Sequence, residues 1–362
     1  MVYSQAKTLT LYTMAIGTGS ISFIASATIT IMIIKHKDGL SNPFQRLVFG
    51  LSAMDVAQSL AMILSPFSLP RDVEGVLWST GSTLTCEIQG FALHLGFAGV
   101  PMYMFSLTVY YLYAIKYGMS DREFSDTKEP YLHAASIIWS IIGGVACWFS
   151  GSFNMLQAGN VCWYTPFPFN CATNPDVECV RGANAFAFGW IFGGSNAITL
   201  SGIIYCLVAV CRTVINQEKK TSAQTFSPSV EEFSTRVTFE LSETSGKALN
   251  EVTISAPMQQ SFDYQSEKSV KRKKETVMQA SLYVAAFVST CFWAYIYGFL
   301  VTLGLDVPFF VTFLFSLFYP LGGLLNILVY TRPTINLLRK RNPGITWKRA
   351  FVKVVKAGAR VQ

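Results

Sequence analysis

The stretch LVFGLSAMDVAQSLAMIL, Leu47–Leu64, is one apolar run with a single carboxylate, Asp55, near its middle. It comes close to the roughly 20 helical residues that cross a hydrocarbon core. In lipid every backbone polar group must be paired within its own element, so an isolated run of this kind is a helix. Six more runs follow the pattern, at Thr10–Ile34, Ile88–Ile115, Leu132–Ser150, Phe186–Val210, Val277–Leu303 and Val307–Tyr330, with polar loops between them. The expected fold is an all-α membrane protein, a seven-transmembrane helix bundle followed by a short cytoplasmic amphipathic helix. Seven spans put the two termini on opposite sides.

Of the 362 residues, 51% are hydrophobic and 14% charged, which is too apolar for a soluble domain. The surplus beyond seven spans sits in one long loop and a tail, so no second folded domain is expected. The net charge of +7 is spread unevenly. The segments 35–46, 116–130, 212–276 and the tail after 331 hold 25 lysines and arginines, and the remaining segments hold only Lys7, Arg71 and Arg181. This alternation obeys the positive-inside rule and predicts an outside N-terminus and a cytoplasmic C-terminus. It also accounts for the basic loops by topology, so no nucleic-acid partner is expected. The first run lacks a cleavage pattern and reads as an uncleaved anchor after a short extracellular segment, residues 1–9.

Eight cysteines divide into two groups. Cys147, Cys206, Cys211 and Cys291 fall within or at the ends of spans. Cys86, Cys162, Cys171 and Cys179 fall in segments expected outside, where disulfides persist. Four cysteines allow three pairings, and spacing does not choose among them. The expectation is Cys86–Cys162, tying the 151–185 loop to the third span, with Cys171–Cys179 closing a tight hairpin in 169–181.

Spans one to five are expected within 10–212 and spans six and seven within 277–331. Residues 213–276 form the long loop. Between Thr221 and Ser269 it is rich in Ser and Thr without an apolar period, a composition that does not fold. It ends in Lys271, Arg272, Lys273 and Lys274, a cluster that attracts anionic lipid or an acidic partner. The tail, 332–362, interleaves Ile335, Leu338, Trp347, Phe351, Val354 and Val355 with basic residues. That pattern predicts a basic amphipathic helix on the membrane face.

Asp55 is the clear charge inside the spans. An intramembrane carboxylate is costly and points to function. Leu51, Ser52 and Ser59 lie one turn to either side, and Asn326 in the seventh run is the candidate partner. The expected role is a cation site or a conformational switch.

Several motifs, in order, resemble those of G-protein-coupled receptors. LSAMD, Leu51–Asp55, looks like the second-helix signature of that superfamily. Cys86 opens the third span and Cys162 follows the fourth, as the receptor disulfide requires; Trp139 lies mid fourth span. CFWAYIY, Cys291–Tyr297, resembles the aromatic switch of the sixth helix, and LNILVYTRP, Leu325–Pro333, resembles the Asn-Pro-x-x-Tyr motif, with Asn326 and Tyr330 in the matching places. GSISFIASATIT, residues 19–30, and the 319–333 stretch are closer to cyclic-AMP-receptor-like and fungal or plant-like receptors than to vertebrate rhodopsin-like ones. The departures are specific. Tyr110-Tyr111-Leu112 stands where rhodopsin-like receptors carry Asp-Arg-Tyr, Ile327 replaces the seventh-helix proline, and the sixth-span motif has no proline. No lysine lies between 307 and 330, so a retinal Schiff base there is excluded.

The resemblance implies a small-molecule ligand outside and a heterotrimeric G protein inside, in the plasma membrane, with no cofactor. The partner surface is expected at Tyr111, Lys116 and the Lys271–Lys274 cluster. The ligand site is expected in the outer halves of the helices, where aromatic walls meet a few polar groups: Leu93, His94 and Phe97 in the third span; Trp190, Ser195 and Asn196 in the fifth; Phe292, Trp293 and Tyr297 in the sixth; Phe313 and Ser316 in the seventh. Leu93 stands where amine receptors hold an aspartate, which disfavours a cationic amine. His94 is expected to donate to an anionic or carbonyl ligand. Two other classes stay open. A transporter or channel needs more intramembrane charge and commonly carries internal repeats, which the chain lacks. A seven-helix scaffold without coupling fits the missing arginine. An enzyme is not expected, because His36, His94 and His133 are scattered and no metal-ligating or catalytic cluster lies in the spans.

Overall fold

Among the described residues, seven helices are long and apolar enough to cross a membrane. They are α1 (Gln5–Lys35), α2 (Pro43–Ser68), α3 (Thr83–Lys116), α5 (Glu129–Phe149), α6 (Ala185–Phe226), α7 (Pro257–Thr302), and a seventh assembled from α8 (Phe309–Phe318), a 3-10 turn (Tyr319–Leu321) and α9 (Gly322–Arg341). A short helix, α4 (Asp121–Thr127), precedes α5, and α10 (Trp347–Ala357) follows the bundle. The chain is thus a multi-pass membrane protein with the expected seven-helix architecture. The computed structural model describes residues 3–36, 39–71, 78–156, 161–168, 171, 174, 176–226 and 257–357, with backbone alone at 221–226 and 257–270.

Local sequence sets the helix starts. Pro43 occupies the first turn of α2, where a missing N–H costs nothing, and Asn42 Oδ1 accepts from the Phe44 N–H at 2.8 Å. Ser82 and Thr85 cap α3 reciprocally, with the Ser82 N–H donating to Thr85 Oγ1 at 2.7 Å. α3 is the axis of the bundle: it packs against α2, α5, α6, α7 and a small hairpin. Close approach is possible where side chains are small. The Gly323 N–H donates to Ser22 Oγ at 2.9 Å, joining α9 to α1, and a Cβ at Gly323 would lie 2.7 Å from the Ser22 carbonyl oxygen.

The seventh span is broken within its apolar run. Pro320 has no N–H to continue the helical ladder, and the chain tightens to 3-10 geometry through Tyr319–Leu321 before α9 resumes. Hydropathy registers the run, not this break. Pro333, by contrast, lies inside α9, which continues to Arg341.

Between α5 and α6, β1 (Phe153–Met155) and β2 (Cys162–Tyr164) form an antiparallel hairpin with Phe153 opposite Tyr164. Asn154 Nδ2 holds it by donating to the carbonyls of Gly151 at 2.8 Å and Thr165 at 2.7 Å. The disulfides are Cys86–Cys162, which pins β2 to the first turn of α3, and Cys171–Cys179. Both match the expected pairing. The hairpin marks this end of the bundle, the hairpin end; the opposite one is the basic end.

At the basic end α10 lies across the tips of α1 and α9. Ala350 and Val354 are fully buried against Met32, Ile335 and Leu338, while Lys348, Arg349, Lys353 and Lys356 are exposed. This is the amphipathic helix expected in the tail; residues 358–362 lie outside those described. α6 runs past the expected end of its span to Phe226, and α7 starts at Pro257, well before its own. Both helices continue where hydropathy stops marking them. The expectation for the middle of the loop, 227–256, lies outside the described residues.

Candidate functional site

Asp55 sits halfway along α2 and is 1% exposed. Asn326 Nδ2, from α9, donates to Asp55 Oδ2 at 2.7 Å. The expected pair therefore forms, and it ties α2 to the segment that follows the broken turn. Ser52 and Ser59 are buried beside it in sequence. Three residues on, Gln58 Nε2 donates to the Tyr319 carbonyl at 3.3 Å, a second link between α2 and the break. A carbonyl is free to accept there because the helical ladder is interrupted.

Above this level a ladder of aromatic rings leads toward the hairpin end. Tyr319 stacks on Phe315 with centroids 5.2 Å apart, and Phe315 stacks on Tyr297 at 4.5 Å. Offset ring pairs of this kind hold their orientation as well as burying area. Beside the ladder run three cavities. The largest, about 540 Å³, lies between α6 and α7; the two narrow ones, about 20 and 10 Å³, lie deeper among α3, α7 and the broken helix. Phe97 borders all three.

The expected ligand residues divide accordingly. Leu93 and Tyr297 line one narrow cavity, Asn196 lines the other, and Trp190 and Phe292 line the large one. Asn196 is committed to the fold as well, donating to the Phe97 carbonyl at 3.1 Å. Trp293, Phe313, Ser195 and Ser316 border none of these cavities. Trp293 packs edge-on against Phe292 and Phe310, and Phe313 lies beside Phe309.

His94 also stands apart from the cavities. It is fully buried, hydrogen-bonds the Tyr164 hydroxyl through Nδ1, and packs edge-on against Phe192 at 4.7 Å. Leu93 and Phe97 share a helix face at i and i+4. His94, one residue on, is turned by about 100° toward α5 and the hairpin. Tyr164 is engulfed at the hairpin base, and burial holds its phenol well above its ordinary pKa. Nothing in the sequence marks the hairpin's contribution. Trp163 and Tyr164 both border the large cavity, and Trp163 meets Phe97 edge-to-face at 4.9 Å. A three-residue strand carries too little alternation to be recognised.

At the basic end Tyr111 is 3% exposed and packs against Phe44 and Tyr110, while Lys116 is exposed at the end of α3 over the Tyr117 ring. Tyr110 donates to Asp121 Oδ1 at 3.0 Å, so α3 is tied to α4 by a phenol. Arg46 clamps Glu129 with two bonds of 2.5 Å and donates to Ser125 Oγ at 2.7 Å, linking α2, α4 and α5. In the basic cluster, Lys273 Nζ donates to Gln217 at 2.9 Å and Lys274 to Glu218 at 3.1 Å, stitching α7 to α6; Lys271 and Arg272 are exposed. Among the described residues no three His, Cys, Asp or Glu side chains gather as a metal site.

No family model matches the chain, and no curated protein matches it in sequence. Its backbone is similar to the crystal structure of squid rhodopsin, with a TM-score of 0.61 over 100% of this chain and 93% of that one, at 13% identity. At that identity the likeness shows the fold: a rhodopsin-like seven-helix bundle.

Proposed function

We propose that the chain is a receptor of the G-protein-coupled type, oriented with the hairpin end outside and the basic end in the cytoplasm of the plasma membrane. The observation that carries this reading is a continuous physical column. Cavities at the hairpin end border the Tyr297–Phe315–Tyr319 ladder, the ladder ends at the broken turn, and the turn is bonded to α2 through Gln58 and beside the Asp55–Asn326 pair. A ligand in the cavities biases the position of α7 and the broken helix only by binding two arrangements with different affinity. The Asp55–Asn326 contact is the switch, and Tyr330, half-buried on α9 near the basic end, moves with it. Tyr110–Asp121 and Arg46–Glu129 hold the third helix and the α4 segment in place of the missing arginine. The α6–α7 stitches at Lys273 and Lys274 hold the basic end closed, and their opening exposes Tyr111 to a heterotrimeric G protein. Lys116 and the exposed Lys271 and Arg272 supply charge to that partner and to anionic lipid.

The test is association of the full chain in nanodiscs with a panel of purified heterotrimeric G proteins. The expected result is binding of at least one heterotrimer that a non-hydrolysable GTP analogue reverses and that Lys271→Glu with Arg272→Glu weakens. Absence of nucleotide-sensitive binding across the panel overturns the reading.

A further inference from the structure

The largest cavity is walled by rings and glycines and faces sideways between two helices. Trp190 of α6 and Phe292 and Phe299 of α7 stand at its rim, each about half exposed on the outer surface of the bundle. Trp190 and Phe299 meet edge-on across the mouth at 6.2 Å. The hollow exists because Gly189, Gly193 and Ala197 recur at four-residue spacing on α6, opposite Gly298 on α7. A Cβ at Gly193, Gly194 or Gly298 would meet no atom within 4 Å.

The polar chemistry inside is sparse and asymmetric. No charged residue among the described ones lines the cavity. The Thr302 hydroxyl is spent on the Gly298 carbonyl at 2.7 Å, and the Tyr164 hydroxyl on His94. At the inner end Tyr295 borders both the large cavity and the narrow one that it shares with Tyr319. The hydroxyls of Tyr295 and Tyr319 are buried, and neither has a hydrogen-bond partner among the described residues. Buried hydroxyls are rarely left unpaired, because each lost its water on folding. At the hairpin end the cavity is bordered by Trp163, on a strand that Cys86–Cys162 fastens to α3.

We propose that this cavity binds an uncharged amphiphile, with an apolar body and one hydroxyl or carbonyl head, that enters from the bilayer between α6 and α7 and hydrogen-bonds Tyr295 or Tyr319. The volume of about 540 Å³ falls in the usual range for small-molecule sites. A charged head meets no counter-ion among the described residues of these walls. The inference rests on the receptor reading and names the class of its ligand.

The test is photolabelling of the full chain in nanodiscs with a diazirine- and alkyne-bearing hexadecanol, followed by peptide mapping of the adducts. Adducts are expected to concentrate in 189–200 and 292–302 and to be displaced by unlabelled hexadecanol but not by hexadecyltrimethylammonium. Gly193→Trp and Gly298→Leu fill the hollow without a clash at Cβ and are expected to abolish the specific adducts. Tyr295→Phe combined with Tyr319→Phe is expected to weaken displacement by about tenfold, as loss of a hydrogen-bonded head requires. Adducts spread evenly over lipid-facing positions such as Ile138 and Ile142, and unchanged by Gly193→Trp, overturn the proposal, as does equal displacement by the cation. The labelling needs no G protein. Specific adducts without any nucleotide exchange retain the site and remove the receptor reading. Exchange driven by a polar compound that leaves the adducts unchanged does the reverse.

Discussion

Arg46 and Glu129 show how single residues organise the basic end. The guanidinium is 27% exposed and the carboxylate 6%, so their two 2.5 Å bonds are only partly screened by water. Burial raises the cost of a lone carboxylate, and the guanidinium fork offsets that cost in a geometry lysine does not reproduce. Arg46→Ala leaves Glu129 buried without its cation. A double-mutant cycle with Glu129→Gln, read from thermal unfolding in nanodiscs, is expected to give a coupling of about 1–3 kcal/mol; a coupling near zero would mean that the pair only decorates the surface. At this scale the sequence was unevenly legible. Asp55 stood out because charge inside a span is rare, and Asn326 was its nearest plausible donor in pattern. Arg46 and Glu129 lie at span ends, where charges are ordinary, so nothing marked them as partners. His94 stood out for its chemistry, yet its place on the helix face turns it toward Tyr164 and Phe192 rather than the cavities.

Elements follow from two different physical constraints. The membrane spans were legible because lipid forbids unpaired backbone and so demands long apolar runs. The hairpin and the break at Tyr319–Leu321 were not, because each rests on a few residues whose packing, not their period, decides the conformation. Cys86 and Cys162 were the one signal that the loop between α5 and α6 returns to α3. The tail helix was legible from its alternating charge and apolar residues, and the structure adds where its apolar seam docks. Val354 is fully buried against α1 and α9. Val354→Asp is expected to unseat α10 at a cost of about 1.5–3 kcal/mol in lost burial, with more for the desolvated charge. Hydrogen exchange should then rise across 347–357 and stay unchanged in α3; unchanged protection in α10 would show that the seam contributes little to its docking.

Across the whole molecule, the two ends have complementary chemistry. The hairpin end has rings, glycines and disulfides around cavities, and the basic end has lysines and arginines around buried tyrosines. In the proposed receptor these ends are coupled through the broken seventh helix and Asp55. The direct measurement is guanine-nucleotide exchange by a heterotrimeric G protein, with the full chain in nanodiscs screened against uncharged amphiphiles and polar metabolites. At least one compound is expected to accelerate exchange, and Asp55→Ala is expected to remove the acceleration while binding at the large cavity persists. A compound that occupies the cavity and leaves exchange unchanged with every heterotrimer would rule out this coupling.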